Sequence, residues 1–69
     1  MTTVSKIVEF TERKQHGDIQ IIAEKTGYSQ PMVSMTLRGR RNNDEIVDYA
    51  FNLVQGRPTN LQRLQMTSN

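Results

Sequence analysis

The chain has no cysteine and no tryptophan, a single histidine, and aromatic side chains at only 6% of its positions. Without cysteine there is no disulfide framework and no thiol nucleophile, and His16 alone cannot assemble a structural metal site. No apolar run approaches the roughly 20 residues that a membrane-spanning helix needs. The opening Met1-Thr2-Thr3-Val4 lacks the basic-then-apolar layout of a signal peptide, so an intracellular, soluble protein is expected. With 69 residues there is room for one domain, and a domain of this size buries only about 60% of the surface its unfolded chain exposes. Neither disulfides nor metal can supplement so small a core, which makes a second subunit an expected source of stability.

The net charge of +2 is too small to identify a partner class, but its distribution is uneven. Between Lys25 and Asn42 stand Lys25, Arg38, Arg40 and Arg41 with no acid, a local charge of +4, and Asp44, Glu45 and Asp48 follow at once.

Apolar spacing predicts helices throughout. Val4, Ile7, Val8 and Phe10 share one side of a first helix, with Lys6, Glu9, Glu12 and Arg13 on the other. Thr2 or Thr3 can cap its start, and Gly17 can end it near Gln15 or His16 by taking the left-handed conformation. Asp18 is suited to cap a second helix that buries Ile19, Ile22 and Ala23, with Ile21 nearer its edge. Gly27 then permits a tight turn, which Tyr28 can pin against the core. Ser29 can cap a third helix, with Pro31 in its first turn, Val33 and Leu37 inward, Met32 and Thr36 beside them, and Gly39 as its stop.

Asn42 to Glu45 has the spacing of a capping box, and Asp44 and Glu45 suit the positive end of a fourth helix running to about Gln55. Gly56 and Pro58 close it. The expected architecture is therefore all-α, a compact bundle of about four short helices in residues 1–56. Residues 57–69 are expected to form a frayed or partner-contacting tail in which Leu61 and Leu64 allow one extra turn.

Two short helices joined by a glycine-containing turn, the second capped by serine and followed by arginines, form an arrangement that docks a helix in the DNA major groove. Ile22-Ala23-Glu24-Lys25-Thr26-Gly27-Tyr28-Ser29-Gln30-Pro31-Met32-Val33-Ser34 resembles the helix-turn-helix of lactose-repressor-like and phage Cro/repressor-like regulators. Leu37-Arg38-Gly39-Arg40-Arg41 resembles the segment that often follows in those families. The resemblance covers about a third of the chain. It implies that Gln30, Pro31 and Met35 face bases, with Ser29, Ser34 and Arg38 at their margins. Two positions depart from the family pattern: Thr36 stands where an apolar residue is usual, and Met35 where a polar or basic reader is common.

Helical geometry gives an independent argument, because residues 30, 31, 34, 35 and 38 form one strip opposite Val33 and Leu37. Glutamine can pair with the N6 and N7 edge of adenine, and Pro31 and Met35 can pack on thymine methyl groups, so a preference for A·T pairs is expected. Gln20, the amides that open the second helix, Arg38, Arg40 and Arg41 are placed to take phosphates.

Catalysis has little support. Ser29 and Ser34 have no histidine-carboxylate relay, and Glu9 with Glu12 or Asp44 with Asp48 lie at helical spacing on solvated faces. The fourth helix is apolar over half its circumference, wider than the usual stripe of about 100°. Ile46, Ala50 and Leu53 can pack on the first helix, leaving Tyr49, Phe51 and Val54, together with Leu61 of the tail, to meet a second subunit.

The expectation is a cytoplasmic, nucleoid-associated regulator, not an enzyme, that binds double-stranded DNA as a homodimer without cofactor, metal or small-molecule ligand. The alternatives are a helical protein-interaction module and a DNA-binding subunit of a segregation or recombination complex.

Overall fold

The computed structural model describes residues 2–67. It is all-helical among them, with α1 (Thr3–Arg13), α2 (Asp18–Thr26), α3 (Gln30–Leu37), α4 (Asp44–Leu53) and α5 (Asn60–Thr67) in chain order. Of the expected tail, Ser68 and Asn69 lie outside the described residues. None of these helices is long and apolar enough to cross a membrane.

The bundle is organised on α4, which packs against α1, α2 and α3, while α2 also packs on α3 and α5 touches α1. Its core joins Phe10 of α1, Ile22 and Ala23 of α2, Val33 and Leu37 of α3, and Ile46 and Ala50 of α4, with Val54 beyond α4's end. Thr36, fully buried, is accommodated because its hydroxyl donates to the Met32 carbonyl at 2.8 Å. No polar group is therefore left unsatisfied at that apolar position.

Local signals set most helix boundaries. Thr2, one of the two candidate caps, accepts from the Ser5 N–H at 3.1 Å, and extended backbone at Lys14 ends α1 before Gln15. Gly17 is left-handed, with φ 93°, but it opens α2 instead of closing α1. Asp18 is not the cap of α2. It is the first helical residue, only 3% exposed, and its carboxylate accepts from the Gln15 N–H at 2.7 Å and from the Arg57 guanidinium at 2.8 and 3.4 Å. A residue 39 positions away thus holds the group that proximity had assigned to the helix amides.

Four further expectations are corrected. The cap of α4 is Asn43, whose Oδ1 accepts from the Ile46 N–H at 3.2 Å, so the helix starts one position later than an Asn42 cap implies. It ends at Leu53, short of Gln55. Val54 is wholly buried in this chain's own core and is not on an exposed dimer surface. The segment after Gly56 contains two turns of helix instead of one, with Thr59 and Gln62 forming a reciprocal capping box at 2.8 and 3.1 Å. Arg57 also binds this segment to the bundle, because its carbonyl accepts from Arg13 Nε at 3.0 Å.

Candidate nucleic-acid interface

Three residues, Gly27, Tyr28 and Ser29, connect α2 to α3. Gly27 adopts φ 82° and donates its N–H to the Ala23 carbonyl at 2.9 Å, so the chain leaves α2 through a conformation that costs an L-residue about 1–2 kcal/mol. Tyr28 packs against the core and donates its hydroxyl to Glu45 Oε1 at 3.3 Å, tying the turn to the first turn of α4. Ser29 Oγ accepts from the Met32 N–H at 3.3 Å, and Pro31 occupies the first turn of α3, where a missing N–H breaks no helical bond.

The far end of α3 is equally defined. Gly39, with φ 81°, donates to the Thr36 carbonyl at 3.1 Å, and Arg40 donates to the Met35 carbonyl at 2.9 Å. This pair of bonds is a Schellman motif, which reverses the chain and carries Arg40 and Arg41 away from the helix axis.

Between those two turns, α3 divides cleanly. Val33, Thr36 and Leu37 are buried, whereas Gln30, Pro31 and Arg38 are exposed and Ser34 and Met35 half-buried. The outer strip contains no acid. Met35 is less exposed than its place on the strip implies, because it lines a hollow of about 470 Å³ with Tyr28, Pro31, Met32 and Arg41. That hollow is lined by both apolar side chains and polar groups, the Arg41 guanidinium among them.

The cations fall into two groups. Lys6, Arg13 and Arg57 pair with Asp48, Glu9 and Asp18, the first and last at 2.6 and 2.8 Å. By contrast Arg38, Arg40 and Arg41 are exposed and form no ion pair with a described residue. The same is true of Lys25 and of Lys14, the latter not singled out by sequence reasoning. Gln20 is exposed on α2, with its amide donating to Glu24 at 3.3 Å. The expected site residues Gln20, Ser29, Gln30, Pro31, Ser34, Met35, Arg38, Arg40 and Arg41 all lie on α2, α3 or the loops that flank α3.

The residues assigned to a subunit contact do not stay together. Tyr49 packs against the core, Phe51 is half-buried with the Lys6 ammonium 5.9 Å from its ring centroid, and Val54 is inside. Of the residues assigned to that contact only Leu61 is a strongly exposed apolar side chain, and the other exposed large apolar side chains among the described residues are Val4, Val8, Ile21 and Leu64. No cluster of His, Cys, Asp or Glu among the described residues is arranged to hold a metal. No protein-family model, curated protein or solved structure matches the chain.

Proposed function

We propose that the protein is a sequence-specific regulator that binds double-stranded DNA as a homodimer, laying the outer strip of α3 in the major groove. The observation that carries this reading is an acid-free strip of Gln30, Pro31, Ser34, Met35 and Arg38, held between the Gly27 turn and the Gly39 reversal and followed by Arg40 and Arg41, with none of the three arginines in an ion pair with a described residue. Phosphate contacts by Arg38, Arg40 and Arg41 position such a helix, while Gln30, Pro31 and Met35 meet base edges. Two copies related by a two-fold axis would place their α3 helices in successive major grooves about 34 Å apart and favour a palindromic site.

Selection of binding sites from random duplexes tests this reading. The expected product is a palindrome containing A·T pairs, whose sequence changes when Gln30→Ala and Met35→Ala are combined. Failure of the intact chain to bind duplex DNA at low salt overturns the proposal. The competing reading is a helical protein-interaction module. It draws on a groove of about 470 Å³ lined by Val4, Ile7 and Val8 of α1 with Leu37 and Gly39, and by Lys14 and Arg38 as well. Salt separates the two, because DNA binding weakens steeply with salt and a mainly apolar contact does not.

A further inference from the structure

On the side of α3 away from Arg41 lies a second, larger cleft of about 600 Å³, bounded by the α1–α2 turn and the start of α5. Lys14, His16, Ile19, Gln20, Gln30 and Asn60 are among the residues that line it. Gln30, the first residue of α3, therefore stands on the border between this cleft and the strip assigned to base reading. No aspartate or glutamate lines it. The acid closest in sequence, Asp18, is buried, and its carboxylate is taken up by Arg57 and by the Gln15 N–H. The nearest acid on α2's outer surface, Glu24, accepts from Gln20.

The consequence is an open, acid-free cleft that carries the Lys14 charge, the His16 ring and the amides of Gln20, Gln30 and Asn60. Such a donor set matches a phosphodiester. Lysine supplies a point charge, a histidine ring an N–H and carboxamides further donors. A carboxylate in the cleft would repel the same anion, and Arg57 takes up the one acid that directly follows the turn, Asp18.

We propose that this cleft seats a backbone phosphate of the bound duplex, held by Lys14, His16, Gln20 and Asn60, and that the buried Asp18–Arg57 pair keeps the seat cationic. The inference rests on the DNA-binding reading and extends it. The segment after Gly56 becomes part of the binding face, and the duplex is gripped on both flanks of α3, by this cleft on one and by Arg40 and Arg41 on the other.

The test uses the full chain and a Lys14→Ala, His16→Ala variant, both altered positions being exposed. Loss of a charge-assisted contact should weaken duplex binding about tenfold or more at moderate salt. The loss should be the same on a selected site and on an unrelated duplex. The slope of log affinity against log salt should become shallower by about 0.9 for the phosphate released. Asn60→Ala should weaken binding less and leave the slope unchanged.

In parallel, the DNA-free chain is titrated with inorganic phosphate and followed by amide NMR. Shifts are expected at residues 14–20 and should disappear in the double variant. If the variant binds duplex with the affinity and slope of the parent, the seat is wrong while the DNA reading stands. If the intact chain binds no duplex but phosphate still shifts residues 14–20, the anion seat stands and the DNA reading falls. Absence of both signals overturns both.

Discussion

The two flanks of α3 are built by different means. The flank carrying Tyr28, Met32, Met35 and Arg41 comes from one continuous stretch, shaped by devices acting over a few residues: the Gly27 turn, the Ser29 cap and the Schellman reversal at Gly39. The opposite flank joins residue 14 to residue 60 and depends on Arg57 reaching back to Asp18 and Arg13. The first flank is held by several small terms, each near 1 kcal/mol. The second is held by tertiary bonds that converge on Arg57, among them a pairing with the almost inaccessible Asp18 carboxylate, which would be costly to leave without its partner.

The largest expected effect follows from that contrast. Arg57→Ala leaves the Asp18 carboxylate buried with the Gln15 N–H as its remaining partner, and should cost about 3 kcal/mol of stability in urea unfolding. The combination Asp18→Asn, Arg57→Gln should recover part of that loss, because no uncompensated charge stays inside. A single Arg57→Ala variant as stable as the parent would erase the distinction between the flanks.

Gly27→Ala should cost about 1–2 kcal/mol, the penalty for placing a side chain at φ 82°. An added Cβ there would meet nothing within 4 Å, so the loss measured in the same assay is conformational and not steric. Ser29→Ala should cost about 1 kcal/mol through the lost cap on the Met32 N–H. Together the last two variants sharpen the comparison by showing that the local flank yields in increments.

The same division governs what could be read from the sequence. The α2–turn–α3 unit was legible in detail because glycine, serine and proline announce their roles within four residues, and Val33 and Leu37 fall inward by simple periodicity. The helical class and the core positions Phe10, Ile22, Ala23 and Ile46 were legible for the same reason. Asp18 was misread because its partner lies 39 positions away, and a carboxylate at a helix start looks like a cap whatever it actually binds. Asn42 and Asn43 are adjacent and chemically identical, so only tertiary packing selects the second as cap.

Val54 was assigned outward because the apolar arc of α4 is wide, and width alone does not reveal that three other helices cover it. The helical character of α5 had a usable signal, the Thr59-Asn60-Leu61-Gln62 capping box directly after Pro58. Lys14 and His16 carried no signal at all. They share a cleft with Gln30 and Asn60 only because the turn brings them there.

The Asp18–Arg57 contact also bears on time. The bonds that shape the Gly27 turn and the α3 cap close loops of three or four residues, whereas this pair and the Arg13–Arg57 bond each close a loop of about forty. Closing the longer loop costs more chain entropy before any contact rewards it, so the α2–turn–α3 unit can assemble early and the Arg57 latch closes late. Contacts absent from a folding transition state leave the folding rate nearly alone and set how fast the native state comes apart. The latch therefore acts on the lifetime of the folded chain more than on the speed at which it forms.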